Sequence, residues 1–170
     1  MNRENWAFNG KNNDFFKFSS KNFLSLHEKF AKNNDWAEDV HLPLSVFNNE
    51  NLSALETITK FIKEEIGLNY SQIALLLNRD ERTIWGAYDS SKKKMNARFF
   101  VDSSKFHIPI SVLKDRSLSV LEAITEYLKE ELNLRYCQIG GLLNRDQRTV
   151  WTVYNRTKKK RRKSKYERFA

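Results

Sequence analysis

The sequence predicts a mainly α chain made of two tandem tri-helical units, each preceded by a short extended segment. Three observations lead there. His41 to Lys94 aligns without a gap on His107 to Lys160 with roughly half the positions identical, so one unit is written twice. Within each copy, apolar residues recur at helical spacing behind a Ser-x-x-Glu capping box. Gly or Asn stands where each of the first two helices has to stop.

The extended segments come first, at Pro43 and Pro109, where β-branched and apolar residues surround a proline that would break a helix interior. Helix one starts at the boxes Ser53-Ala-Leu-Glu56 and Ser119-Val-Leu-Glu122, whose hydroxyl and carboxylate satisfy orphan amides. Leu55, Ile58, Ile62 and Ile66 follow on one face, matched by Leu121, Ile124, Leu128 and Leu132, up to stops at Gly67 and Asn133. A short second helix turns Ile73, Leu76 and Leu77, or Ile139, Leu142 and Leu143, inward and ends at Asn78 or Asn144. The third starts at Asp80 or Asp146, placed to cap the amides of Arg82 and Thr83 or of Arg148 and Thr149. Its inward positions are read as Ile84 and Tyr88, or Val150 and Tyr154.

These boundaries divide the chain into an N-terminal extension (1–40), unit one (41–94), a linker (95–106), unit two (107–160) and a basic C-terminal tail (161–170). An amphipathic helix is expected over Asn22 to Trp36, and packing rather than a free tether at Phe99, Phe100 and Val101. The tail is expected to be disordered without a ligand.

A hydrophobic content of 40% is enough for a core, while the formal charge of +9 implies an acidic partner: nucleic acid or an anionic membrane face. Part of that charge is compositional, since the chain is rich in Asn, Lys and Phe. The single cysteine, Cys137, excludes an intramolecular disulfide, and its counterpart Ser71 marks it as an ordinary helix residue. With neither a membrane-length apolar run nor a secretory leader, the chain is expected to be soluble and intracellular.

The spacing around the second and third helices is specific. Two steeply crossing helices need a small residue where their backbones approach, and Ala74 and Gly140 supply it. The turn needs a residue that accepts positive φ, met by Asn78 and Asn144, and then an apolar plug, met by Ile84 and Val150. The residues Leu68, Tyr70, Ile73, Ala74, Leu77, Thr83 and Ile84, and again Leu134, Tyr136, Ile139, Gly140, Leu143, Thr149 and Val150, resemble the helix-turn-helix of sigma-factor region four and its relatives. The resemblance covers the second half of each unit and implies double-stranded DNA as the partner, with the third helix as recognition helix.

Under that reading the candidates for base contact are Glu81, Arg82, Trp85, Gly86 and Asp89 in unit one, and Gln147, Arg148, Trp151, Thr152 and Asn155 in unit two. Arg82 and Arg148 suit guanine, Gln147 adenine and Glu81 the cytosine amine. The competing reading pairs both arginines with carboxylates on their own helix. Each tryptophan lies about 100° round the helix from its inward neighbour and faces either the neighbouring helix or the groove. Candidates for phosphate contact are Arg79, Lys92, Lys93 and Lys94, then Arg145, Arg156, Lys158, Lys159, Lys160, Arg161, Arg162 and Lys163. A solvated charge cluster is the alternative, and in a eukaryote the run after Lys158 also reads as a nuclear-import address.

Chemistry other than binding finds little support. His41 and His107 have no Cys, His or carboxylate at ligand spacing, Glu64-Glu65 and Glu130-Glu131 end an amphipathic helix, and no phosphate loop or nucleophile motif appears. No enzyme activity, metal or cofactor is expected. The expected function is a sequence-selective regulator acting as a covalent pseudo-dimer at the nucleoid, with the transcription machinery as a further partner. Its main rival is an architectural protein that coats or bends DNA. An initiation factor and a protein adaptor are the remaining readings.

Overall fold

The computed structural model describes residues 40–99 and 104–167. The helix expected over Asn22 to Trp36, the rest of the N-terminal extension, and Phe100 and Val101 lie outside the described residues. The fold is mainly helical. Unit one contains strand β1 (His41–Pro43), a 3-10 turn (Leu44–Phe47), helix α1 (Ala54–Phe61) continuing as a π turn (Ile62–Ile66), α2 (Tyr70–Leu77) and α3 (Glu81–Lys94). Unit two repeats the order with β2 (His107–Pro109), a 3-10 turn (Ile110–Lys114), α4 (Val120–Glu130), α5 (Tyr136–Leu143) and α6 (Gln147–Glu167).

The punctuation expected from the sequence is present. Both capping boxes close reciprocally: Ser53 and Ser119 accept from the amides of Glu56 and Glu122, whose carboxylates accept from the serine amides. Gly67 (φ 80°), Asn78 (φ 50°), Asn133 (φ 50°) and Asn144 (φ 49°) hold the left-handed conformation where the first two helices of each unit stop. Asp80 and Asp146 cap α3 and α6 through the Arg82 and Arg148 amides, at 2.9 and 2.7 Å. Gly140 sits where a Cβ would lie 2.6 Å from the Arg145 carbonyl, which is why this crossing takes glycine.

The two units share one core. β1 and β2 pair antiparallel with Leu42 opposite Ile108, and both of these side chains are buried. The ladder is extended by Leu44 N–H to the Phe106 carbonyl and Ile110 N–H to the Val40 carbonyl, both at 2.9 Å. Helices α1 and α4 pack across this joint, and each 3-10 turn packs on the second helix of the opposite unit. The buried cluster therefore runs without a break from Val40 through Ile58, Ile73 and Ile84 to Ile108, Ile124, Ile139 and Val150. The extended segments, whose role the sequence left open, are the seam between the units.

Two expectations are corrected. The C-terminal tail, as far as Glu167, is helical rather than disordered, because α6 continues through that residue. Arg161 accounts for this by bonding Glu126 (2.6 Å to Oε2) and pairing with Asp115, which ties the helix extension to the body. The third helix also turns inward differently from the reading on Tyr88 and Tyr154. Its buried face is Ile84, Ala87 and Ser91, or Val150, Val153 and Thr157. The tyrosines are half-buried at the edge, tilted against Tyr70 and Tyr136 with centroids 5.9 and 5.7 Å apart. Their hydroxyls reach Glu64 and Glu130 respectively.

Candidate nucleic-acid interface

Helices α3 and α6 each bury one face and present the other. On α6, Val150, Val153 and Thr157 point inward, and the opposite side carries Arg148, Trp151, Thr152, Asn155, Lys159 and Arg162 at steps of three and four. That stripe is continuous over about 21 Å of helix. On α3 the equivalent stripe is Arg82, Trp85, Gly86, Asp89 and Lys93. All ten base-contact candidates fall on these faces or on the first turn, where Glu81 and Gln147 sit. Trp85 and Trp151 are 56% and 55% exposed, so the packing alternative for the indoles is not the arrangement found.

Side-chain partners sort the candidates further. Among the described residues the guanidinium groups of Arg82 and Arg148 make no hydrogen bond or ion pair, so the alternative in which each neutralises a carboxylate on its own helix is not seen. Glu81 accepts a hydrogen bond from the Ser71 hydroxyl at 2.8 Å, and Asp89 pairs with Lys93 at 2.6 Å. In unit two the corresponding contacts are gone, since Cys137 replaces Ser71 and Gln147 and Asn155 replace the two acids. Thr152 donates back to the Arg148 carbonyl at 2.8 Å, leaving its oxygen lone pairs outward.

The cations proposed for phosphate contact do not form one set. Arg79 and Arg145 are half-buried, and their guanidinium groups are engaged by backbone carbonyls of the opposite unit. Arg79 Nη2 donates to the carbonyls of Leu118 (2.7 Å) and Asp115 (3.3 Å), and Arg145 donates to those of Leu52 (2.8 Å, from Nη2) and Asn49 (2.9 Å, from Nη1). Each guanidinium thus satisfies carbonyls in the loop preceding the first helix of the opposite unit, acceptors that the helical hydrogen-bond ladder does not reach. Burial, then the nearby Arg116 charge, push the Arg79 guanidinium below its ordinary pKa.

Other cations are held by acids of their own unit. Lys94 and Lys160 bond Glu56 and Glu122 at 2.8 and 2.7 Å, closing the far end of the third helix onto the start of the first. Burial alone would raise these two carboxyls; the hydrogen bonds from lysine and from the capping serine outweigh it and hold both below the usual range. Arg156 lies 4.0 Å from Glu122, and Lys158 bonds Glu130 at 2.9 Å. Lys92 lies over the Tyr88 ring, 5.8 Å from its centroid. Lys93 bonds Asp89, as above. Lys159, Arg162 and Lys163 are exposed on α6, and the first two make no polar side-chain contact among the described residues.

The reciprocal arginine clamps were missed at the sequence level. The one signal for them in the sequence was that Arg79 and Arg145 are identical in the two copies. Among the described residues no group of His, Cys, Asp and Glu is placed to hold a metal ion, and no helix is long and apolar enough to cross a membrane. No family model, curated protein or solved structure matches this chain.

Proposed function

We propose that the protein binds duplex DNA sequence-selectively, with α3 and α6 as its two recognition helices held in one covalent block. The observation that carries this reading is the partition of charge on α6. Cations whose helical position turns them toward the body are paired with Glu122, Glu126, Glu130 and Asp115, whereas Arg148, Lys159 and Arg162 on the outward stripe with Trp151 and Asn155 have no acid partner among the described residues. An outward row of Arg, Trp, Thr, Asn, Lys and Arg supplies guanidinium and amide groups for base edges at its start and phosphate contacts farther along.

Placement on the helix supports the same assignment. Arg82 and Arg148 stand in the first turn, where a helix entering the major groove meets base edges, and the helix N-terminus favours anionic phosphate nearby. The left-handed turn residue at Asn78 or Asn144 and the small residue at Ala74 or Gly140 are the features that the sigma-like resemblance calls for between its last two helices, and they support the same reading.

Fluorescence anisotropy with a labelled duplex tests this. The wild-type chain is expected to bind, and Arg82→Ala with Arg148→Ala together to lose affinity by about tenfold or more while keeping the melting temperature, because neither guanidinium has a partner among the described residues. An unchanged affinity in the double variant removes α3 and α6 as the reading surface. A coating protein would show the same affinity for every duplex and a steep salt slope.

A further inference from the structure

The strand pairing, the ladder bonds beside it, the arginine clamps and the packing of the 3-10 turns are reciprocal between the units. His41 lies opposite Pro109 and Pro43 opposite His107, with the homologous residues Leu42 and Ile108 facing each other at the centre. Leu44 donates to Phe106 as Ile110 donates to Val40. Arg79 clamps Asp115 and Leu118 as Arg145 clamps their counterparts, Asn49 and Leu52. The 3-10 turn of unit two packs on α2, and that of unit one packs on α5.

Reciprocity of this kind fixes the symmetry. When units repeat by translation, patch A of the first meets patch B of the second and the reverse contact does not occur. An interface in which i meets j and the equivalent of j meets the equivalent of i is isologous, and only a two-fold axis generates it. The axis passes between Leu42 and Ile108. Although the two units follow one another head to tail in sequence, α3 and α6 are therefore related by a dyad, not by a shift along the chain.

Resting on the proposed DNA-binding function, we infer that the target is an inverted repeat with unequal halves, read by one chain at one fixed spacing. Duplex DNA carries dyads perpendicular to its axis, and a two-fold pair of recognition helices matches them only when the half-sites run in opposite directions. The spacing is fixed because the seam is a paired strand, a shared core and two arginine clamps rather than a flexible linker. The halves differ because the reading positions differ. Unit one offers Glu81, Gly86 and Asp89, an acidic and short surface, against Gln147, Thr152 and Asn155 in unit two. A carboxylate accepts from the cytosine amine, whereas Gln and Asn form paired bonds with adenine.

The experiment selects bound duplexes from a random pool with the full chain and derives the consensus. Three versions are then titrated at one salt concentration: the consensus, the same site with one half reversed to give a direct repeat, and the site with about five base pairs, half a helical turn, inserted between the halves. Only the DNA changes, so the folding of variants does not enter. An inverted consensus and an affinity loss of about tenfold or more in both altered sites support the inference. A direct-repeat or single-block consensus, or equal affinity for all three duplexes, overturns it while leaving DNA binding intact. Absence of binding to any duplex overturns both the inference and the function on which it rests.

Discussion

Replacing Arg145 by alanine separates the structural account from the simpler idea that every cation here meets phosphate. The guanidinium makes two charge-assisted hydrogen bonds across the seam, at 2.8 Å to the Leu52 carbonyl and 2.9 Å to the Asn49 carbonyl, and a third to its own neighbour Asn144. A hydrogen bond to a charged group contributes about 1.5–3 kcal/mol when well shielded, and this site is only partly buried. Discounting for the access of water to the orphaned carbonyls, the two inter-unit bonds together come to about 2–3 kcal/mol. Urea unfolding followed by circular dichroism measures this as a lower midpoint with an unchanged slope. Arg79→Ala should behave alike, somewhat more weakly given the 3.3 Å contact to Asp115. In the salt dependence of DNA binding, the log–log slope should be the same for Arg145→Ala and wild type. A variant of full stability whose slope is shallower by about one would refute the clamp and restore a phosphate contact.

Four further outcomes follow from the same contacts. Lys159→Ala and Arg162→Ala should each reduce the salt slope by about one with little change in melting temperature, whereas Arg161→Ala should lower the melting temperature, because only Arg161 is bonded to Glu126 and Asp115. Trp151→Ala should keep the melting temperature and lose DNA affinity, since the ring is 55% exposed; several degrees of destabilisation, seen in a thermal scan, would place it in the core instead. Gly141→Ala has open space around the new methyl and should stabilise by up to about 1 kcal/mol, while Gly140→Ala meets the Arg145 carbonyl and should destabilise despite the same gain in helix propensity; denaturant midpoints compare the two. Stability should fall on acidification in two stages. Burial, then the neighbouring His41 charge, depress His107, so its contribution is present above its ordinary value near 6.5 and is lost as the pH falls through that value toward the folded one. Glu56 and Glu122 are depressed by their lysine and serine partners despite burial, so their contribution is present above the ordinary carboxyl range and is lost below it. His107→Asn should flatten the upper stage alone in a pH series of melting curves.

Much of the fold was legible in the sequence because its signals are local. A capping box is decided within four residues, a left-handed stop by a single Asn or Gly, and a helical face by spacing, so the elements of both units and their boundaries could be read directly. The inward assignment of Tyr88 and Tyr154 failed because a half-buried aromatic satisfies helical periodicity as well as a buried one does. The small residues that actually line the contact, Ala87 and Ser91 in unit one, carry little hydrophobic signal. The course of α6 beyond Lys160 was hidden because a run such as KKKRRK reads as self-repelling until its partners are known. Asp115 and Glu126, distant in sequence, turn Arg161 from a repelling charge into a tether. Symmetry was the least legible property: a duplication specifies that two units are alike, and only the pairing of β1 with β2 and the crossed arginines specify how they are turned.

Amide chemical-shift mapping of the isotopically labelled full chain, with and without a duplex selected from a random pool, tests the central claim most directly. The account expects perturbations on both recognition helices at once, over 81–93 and 147–163, with the seam at Leu42, Ile108 and the two arginine clamps unmoved. Perturbations confined to one helix, concentrated on the seam or the first helices, or absent at low salt would contradict it.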